Sequence, residues 1–566
     1  MRIKANYIVV GRGCLMAKNK TNVPCRLTIY CLLRPRLLLL PFLLLLVMYG
    51  CGPSGTAPEK TPAKNVLVIM VDDLNDNIGL FGGHPQAYSP SMDRFAQTAT
   101  TFARAYTAAP MCGPSRASLF SGVYPHHSRD FFQAPWYDFP VLANTRTMME
   151  QFKDAGYNVL GSGKIMHHNQ ADLWSHFENS ADYTPTPFDG EKQLPHPDVP
   201  APFSDIGWVD GSLGPFIDLS DRKSAEGKPL HWTTGNSRTG FKPMRYVNDD
   251  DRDPTPDEVN AEWAATQIKA LENATTDQPF FMAVGFLRPH TPLVAPQKYF
   301  DRFPLDELEL VDIREGDGDD TFLSVSYRGE VFTLQRGHKM FAAISEAYGD
   351  TELGLKKWTQ AYLACVAAVD DNIGQVLEAL DNSSLRNNTI VVLASDHGFH
   401  MGEKDYLYKN SLWEESTRVP LMIRVPGMGK AGQEVDHPVS LIDIYPTLVD
   451  LCGLPTTTAK NEVGHNLDGH SLQPFIQQPK TNKWPGPAGV LSVVYAGKAT
   501  DNDPARQHYA LRTEHFRYIR YNTGKEELYD HQNDPNEWFN LAGSSPENLK
   551  RQQELGATLD EILARP

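Results

Sequence analysis

Asn65 to Val71 reads NVLVIMV, apolar almost without interruption, and stops dead at Asp72-Asp73. A run of that kind, without polar alternation, is what a parallel strand covered on both faces requires. The same pattern returns at Phe280–Gly285 (FFMAVG), at Thr389–Ala394 (TIVVLA, followed by Ser395-Asp396-His397-Gly398) and in YNVLGSGK around residue 160. Between these runs the apolar positions change to helical spacing. Met92, Phe95, Ala96, Ala99 and Phe102 predict a helix over Pro90 to Tyr106; Thr147 to Ala155 predicts a second, closed by Gly156; Trp358 to Leu380 predicts a third. Strands alternating with helices predict an α/β protein with a doubly wound sheet.

From about 181 to 256 the periodicity fades and Pro, Asp and Gly dominate, which predicts a functional loop or a flexible insertion. Past SLIDIYPTLVDLCGLP the texture changes again. Gly489 to Asn540 carries strand-like pieces at hairpin spacing, so a smaller antiparallel C-terminal subdomain is expected. The expected organisation is a leader at 1–50, a tether at 51–64, a main domain at 65–485 with the 181–256 insertion, and a sheet-plus-helix subdomain at 486–566.

Charge divides the chain unevenly. Residues 1–60 carry nine Lys or Arg against one acidic residue, which leaves −24 on the rest of a 566-residue chain whose net charge is −16. An acidic body is a poor partner for nucleic acid or an anionic membrane, so any positive charge for an anionic ligand must be local. Arg34 and Arg36 lead into Leu37–Met48 (LLLLPFLLLLVM), too short for a span of about 20 residues and suited to a signal-peptide core. Gly50-Cys51 and a small, Pro-rich tether follow. That order resembles a bacterial lipoprotein signal with Cys51 as the acylated residue, so export is expected: periplasmic or cell-surface in a bacterium, otherwise secreted. An incidental cysteine near an ordinary cleavage site is the other reading. The seven cysteines form no CxxC pair, which argues against a disulfide scaffold or a zinc ribbon.

The candidate chemistry gathers where strands end. In open α/β sheets ligands sit beyond the carboxyl edge, where Asp72, Asp73, Asp396 and His397 emerge. Three carboxylates and an imidazole suit Ca²⁺ or Mg²⁺. Either Asp pair alone fits a turn or a helix cap, but two pairs behind two buried strands favour a cation. Cys112 precedes Gly-Pro-Ser-Arg116 and a helical run, a position that suits a nucleophile or an anion; taken alone, a small buried residue is the better reading.

Cys112-Gly-Pro-Ser-Arg116 matches the C-x-P-S-R signature of type I sulfatases, and ASLFSG continues that motif. The resemblance extends through NVLVIMVDDL, GSGKIMHH, FFMAVGFLRPHTPL, LASDHGFHMGEKDYLYKNSLWEESTRVPLMIRVPG and ELYDHQNDPNEWFNLA. It is strongest to iduronate-2-sulfatase and its bacterial relatives, which share the Asp-His pair. The resemblance implies an alkaline-phosphatase-like doubly wound mixed sheet flanked by helices. It implies that a maturation enzyme converts Cys112 to formylglycine, and that Asp72, Asp73, Asp396 and His397, joined by the modified side chain at 112, hold Ca²⁺. It also implies that Arg116 and Lys164 stabilise the formylglycine, that His167 handles its hydroxyl, and that His290 and Lys409 contact sulfate and the leaving oxygen. His168 receives no role.

The expected reaction is exo-acting hydrolysis of a sulfate ester on a carbohydrate, with a 2-O-sulfated uronate slightly favoured. A phosphate or phosphonate ester hydrolase and an inactive glycan-binding relative are the alternatives. Trp208, Trp232, Tyr406 and Tyr408 are expected as exposed sugar-stacking rings. Leu293 and Lys298 are expected to line the sugar subsite, with Lys298 or Arg288 as the cation facing a uronate.

Overall fold

The computed structural model describes residues 64–236, 240–322, 334–496 and 502–565. The leader, Cys51 and the tether up to residue 63 lie outside the described residues.

The centre is an eight-stranded sheet. In chain order its strands are β1 (Asn65–Val71), β2 (Thr100–Phe102), β3 (Asn158–Gly163), β4 (His176–Phe177), β5 (Phe280–Phe286), β6 (Thr389–Ser395), β7 (Leu421–Arg424) and β8 (Gln433–Val435). Their spatial order is β8-β2-β7-β6-β1-β5-β3-β4, and all except β7 run in one direction. The sheet is therefore mixed and its strand order is shuffled by crossovers, as a doubly wound fold demands.

The apolar runs follow from two covered faces. Leu67, Ile69 and Val71 point into one layer with Met282, Val284 and Phe286, beneath helices α4 (Pro256–Glu272), α5 (Leu334–Tyr348) and α6 (Thr351–Asp381). Val66, Val68 and Met70 point into the other with Phe281, Ala283, Ile390 and Val392, beneath α2 (Cys112–Ser121), α3 (Met148–Asp154) and α7 (Ile444–Cys452). Each such side chain, fully buried, contributes about 1.5–3 kcal/mol. The helices are closed at their starts: Thr147 with Glu150 and Thr255 with Glu258 form capping boxes, and the Asp350 carboxylate accepts the N–H groups of Glu352 and Leu353.

The helix expected over 90–106 stops early. α1 covers Pro90–Ala96, and the β-branched Thr100-Thr101 continues as β2 between β7 and β8. Phe102, which shared the helical spacing, therefore enters the opposite layer from Met92 and Phe95.

The stretch from 181 to 256 is folded. Strands Thr186–Phe188, His231–Asn236 and Gly240–Pro243 form an antiparallel sheet over a small core of Phe216, Leu219, Leu230, Trp232, Met244 and Val294. Leu213–Pro215 pairs in parallel with Leu293–Ala295. Thr186–Phe188, Leu213–Pro215 and Gly240–Pro243 are three or four residues long and contain Pro, too short to display a period of two.

The C-terminal strands β9 (Gly489–Val494), β10 (His508–Thr513), β11 (Phe516–Arg520) and β12 (Glu526–Asp530) make an antiparallel meander. One face packs on helix α8 (Pro546–Leu563) through Leu491, Leu511, Tyr518, Leu555 and Leu559. The other packs on Tyr406, Leu412 and Trp413, next to the segment that carries Lys409.

Candidate active site

Four parallel strands deliver their ends to one edge. β1 hands over Asp72 and Asp73, β6 hands over Asp396 and His397, β3 hands over Lys164, and β5 continues through Leu287 to His290. The turn after β1 is tight: Asp73 has φ 61°, a left-handed conformation that Asp tolerates better than most residues. Its N–H donates to Asp396 Oδ1 (3.3 Å) and its carbonyl accepts the Tyr362 hydroxyl from α6 (2.7 Å). The turn after β5 is clamped by Asp257, whose carboxylate accepts the N–H groups of Leu287 and Arg288, each at 2.9 Å.

Cys112 opens α2 and is 1% exposed. Its Sγ lies 3.3 Å from His397 Nε2 and 3.4 Å from Lys409 Nζ. His397 Nδ1 faces the Gly398 carbonyl at 3.0 Å, which orients the ring with Nε2 toward the cluster. Ser115 Oγ donates to the Asp396 carbonyl (2.6 Å) and ties the first turn of α2 to the end of β6.

The cations are wholly buried with their counter-ions. Arg116 Nε donates to Asp396 Oδ2 (2.7 Å), Nη2 to Asp72 Oδ1 (3.2 Å), and Nη1 to the Ile165 (3.0 Å) and Lys164 carbonyls. Lys164 Nζ pairs with Asp72 and sits 4.8 Å over the Tyr183 ring. Lys409 Nζ donates to both oxygens of Asp73, at 2.7 and 2.8 Å. His290 Nε2 is 3.9 Å from Asp73 Oδ2, while its Nδ1 meets the Thr291 carbonyl.

These neighbours set the charges. Burial raises Asp72, but Lys164, His290, Arg116 and Lys409 outweigh it and hold the carboxyl well below its usual range. For Asp73 burial prevails over Lys409 and His397, with Asp72 and Cys112 adding to it, and the carboxyl is pushed up to about 8. Burial, then Asp72, also raises the Cys112 thiol, so an unmodified Cys112 is held protonated and is a poor nucleophile. Burial and then Lys409 push His290 well below the usual imidazole range, and burial with Lys164 and His168 pushes His167 down to about 3.

Asp72, Cys112, Asp396 and His397 each offer a ligand atom within 4.8 Å of the others, as do Asp72, Asp73, Cys112 and His290. Carboxylate oxygens with one neutral imidazole nitrogen are the donor set of a hard divalent cation, so the residues fit one. His167 stands apart in that its Nδ1 is buried without a hydrogen-bond partner among the described residues.

Several residues here escaped sequence reasoning. Gly163 (φ 84°) and Gly285 face each other across the ends of β3 and β5, where a Cβ on either would collide with the backbone of Gly285 or Lys164 respectively. Close approach of these two backbones is what aims Lys164, and the signal was the glycine ending each strand motif. Tyr183, from the insertion, packs edge-on against His290 at 5.1 Å. Asp210, also from the insertion, accepts the Thr291 hydroxyl (2.7 Å) and pairs with Arg336, whose guanidinium lies 5.4 Å over the Tyr408 ring.

The expected sugar contacts change accordingly. Trp232 (3% exposed) and Tyr406 (0%) are core residues, and Trp208 and Tyr408 are half-buried. Leu293 is buried in the strand pair with Leu213. The Arg288 guanidinium is committed to the carbonyls of Val294, His290 and Thr184, and Lys298 lies over Tyr299.

Comparison with known proteins agrees with this architecture. The Sulfatase family profile matches residues 64–454, and that of N-sulphoglucosamine sulphohydrolase, C-terminal, matches 402–565. A sulfatase of Formosa agariphila is 32% identical over 511 residues, covering 89% of this chain and 88% of that protein. Mouse iduronate 2-sulfatase is 27% identical over 506 residues, covering 81% and 85%. Among solved structures, a 2-O GAG sulfatase superposes with TM-score 0.61 at 22% identity (89% and 92% covered), and the phosphonate monoester hydrolase of Agrobacterium radiobacter with 0.62 at 23% (88% and 95%). The fold is thus the one that sulfatases and phosphonate hydrolases share. With a family profile spanning most of its length and a relative above 30% identity over nearly nine-tenths of it, this chain belongs to the sulfatase family and is a sulfuric ester hydrolase.

Proposed function

We propose that the enzyme removes sulfate from the end of a sulfated oligosaccharide, with Cys112 matured to formylglycine and Ca²⁺ held by Asp72, Asp73, Asp396 and His397. The observation that carries the reading is the setting of Cys112: at a helix start, against His397 and Lys409, and on top of the carboxylate cluster. A thiol held protonated by burial is ill-suited to attack, whereas a group with two hydroxyls can attack sulfur through one and release sulfate through the other. Calcium, when bound, supplies polarisation of the sulfate oxygens.

The chain's own residues do the rest. Arg116 bridges Asp72 and Asp396 and keeps both carboxylates aimed at the site. Lys164 and Lys409 bring ammonium groups to the place where an anionic ester enters and balance charge on its oxygens. His290 is neutral in the free protein; a negative ester beside Nε2 favours its protonation, after which it donates to the leaving oxygen. His167 lies near Lys164 and Arg116 as a neutral imidazole able to take a proton from the nucleophile's second hydroxyl.

For the sugar, a 2-O-sulfated uronate is slightly favoured, in line with the iduronate 2-sulfatases among the relatives. Its carboxylate needs a cation other than those on the cluster. Arg336, reaching in beside Asp210 and Tyr408, is the group we assign to it in place of Arg288 or Lys298. Maturation by a formylglycine-generating enzyme, export, and anchoring through lipid on Cys51 complete the proposal.

Peptide mass spectrometry at position 112, run beside turnover of paired sulfate, phosphate and phosphonate esters, tests it. The expected result is an aldehyde at 112 in active enzyme and a preference for sulfate. Full activity with an unmodified thiol overturns the mechanism, and a preference for phosphonate moves the chain to the other chemistry its fold supports.

A further inference from the structure

A second group of metal-ligating side chains lies at the opposite end of α2. That helix has ten residues, about 15 Å of rise, and after Gly122 the chain enters Tyr124-Pro125-His126-His127. There it meets the 465–470 segment and Arg565. His127 Nδ1 is 2.8 Å from Asp468 Oδ2 and its Nε2 is 2.9 Å from the Arg565 carbonyl oxygen. His465 stacks on His127 with ring centroids 4.6 Å apart, and its Nδ1 is 3.6 Å from Asp468 Oδ1 and 2.6 Å from the Asn466 carbonyl. One ring nitrogen of each histidine and one Asp468 oxygen fall within 4.8 Å of one another. Asp468 is itself held in place by the Tyr124 N–H, at 2.8 Å.

An independent observation points the same way. His126 is 7% exposed, its ring lies 4.0 Å from that of His127, and neither of its nitrogens has a hydrogen-bond partner among the described residues. Buried imidazoles are ordinarily satisfied. His126 is among the residues that line one small cavity, about 40 Å³, together with His127, Asp443, Asp468 and His470. His127, for its part, faces acceptors at both nitrogens. A neutral ring can satisfy only one of them, so either both nitrogens carry protons or a cation takes the place of one proton.

We propose that His127, His465 and Asp468 form a binding site for a borderline divalent transition metal such as Zn²⁺, with His126 poised as a further ligand. Two imidazoles and one carboxylate suit zinc and disfavour calcium, which prefers an all-oxygen shell. The site is separate from the catalytic cluster and does not depend on the reaction proposed there. Binding joins residues 126–127, the 465–468 segment and, through Arg565, the end of α8. An ion bound only by the folded chain stabilises it in proportion to occupancy. The exchange balances as one M²⁺ in and the proton of His127 Nδ1 out to solvent. The groups facing His127 in that exchange are Asp468 and His465 from one segment, His126 from its own, and the Arg565 carbonyl from the end of α8, with Asp443 and His470 on the cavity wall.

The test uses the full chain, stripped by chelator, supplied with excess CaCl₂ and titrated calorimetrically with ZnCl₂ in two buffers of different ionisation enthalpy. Because the catalytic cluster also holds potential zinc ligands, the readout is the difference between wild type and His465→Gln, whose ring is partly exposed. Expected are one fewer Zn²⁺ equivalent, or at least about tenfold weaker binding, in His465→Gln and in His127→Gln, with one proton released per ion in wild type. A zinc-dependent rise in Tm should be lost in both variants, and sulfate-ester turnover should be unchanged in His465→Gln. Should His127→Gln fail to fold, His465→Gln alone decides. Equal stoichiometry and affinity in wild type and His465→Gln overturn the proposal.

Discussion

Two buried clusters in this molecule both set carboxylates against basic side chains and behave oppositely. At the sheet edge stand Asp72, Asp73 and Asp396 with Arg116, Lys164 and Lys409. Where the C-terminal sheet meets the main body stand Glu414 and Glu537 with Arg512, Arg517 and His531. In the second cluster Arg517 bridges Glu414 and Glu537 and donates to the Leu412 carbonyl, Arg512 adds a bond to Glu414 (3.2 Å), Tyr106 adds another (2.8 Å), and His531 meets Glu537 at 2.8 Å. Burial raises both carboxyls, but Glu414 is held well below its usual range by Arg512, His531 and Arg517, and Glu537 is held down to about 2 by Arg517 and His531. Every charge there is answered. At the sheet edge burial outweighs Lys409 and His397 and pushes Asp73 up to about 8, and burial raises the neighbouring thiol as well, so the cations leave part of that cluster's charge unanswered. Although Glu414, His531 and Glu537 also have metal-like spacing, guanidinium groups close their lone pairs. A buried acid cluster signals a ligand when it is under-compensated, not merely when it is dense.

The largest effects come from breaking each cluster at one residue. Asp73→Asn should lower kcat by at least about 10²-fold, because it removes a ligand of the proposed cation, while leaving the cooperative melt nearly intact, because burial already disfavours the Asp73 anion. Arg517→Met should do the reverse: a loss of about 3–5 kcal/mol in chemical denaturation, from uncompensated Glu414 and Glu537, with turnover per folded molecule retained. If both substitutions act on stability alone, the distinction between the clusters fails.

Gly285→Ala comes next. Its Cβ would displace the Lys164 backbone, so under the proposed mechanism, in which Lys164 balances charge on the ester, kcat/KM should fall by about an order of magnitude or more. A variant with full activity and an unchanged melting point would mean that the β3–β5 approach does not aim Lys164.

Acid titration separates the clusters by sign. Glu537 has a folded pKa below its unfolded value, so the stability it contributes is complete above about pH 4.5 and is lost as pH falls through about 2. Wild type should therefore lose denaturant resistance across that window, and Arg517→Met should lose less of it. The smallest expected effect is on substrate choice: Arg336→Ala should lower kcat/KM on a carboxylated sulfated sugar about tenfold and leave its carboxyl-reduced counterpart unchanged. Equal losses on both would remove the uronate reading and leave the sulfatase.

What could be read ahead of the structure follows a physical rule. β1, β5 and β6 were legible because both faces of each are covered, which leaves long apolar runs with abrupt ends. The cluster residues were legible because they sit directly behind those ends or inside contiguous motifs, and the fold gathers Asp72, Asp73, Cys112, Asp396, His397 and Lys409 into contact. The helix over 90–106 was overextended because helical spacing at Met92 and Phe95 runs by accident into Phe102, on a strand whose partners lie more than 300 residues away. Tyr183, Asp210 and Arg336 were invisible because their setting depends on three-residue strands and on side chains brought together across more than 100 residues. The Glu414 network left no local trace for the same reason. Trp232 and Tyr406 were misjudged as surface rings because a single aromatic outside a periodic segment carries no information about depth.

The depth of Cys112 has a consequence in time. A side chain that is 1% exposed beneath the first turn of a helix is out of reach of another enzyme's active site once the sheet has closed. Under the chemistry proposed for it, oxidation must therefore outrun folding, and the active fraction of any batch is settled in the interval between synthesis and collapse. Variants that fold faster would then yield fewer competent molecules, and no later supply of the maturation enzyme would recover the remainder without first unfolding them.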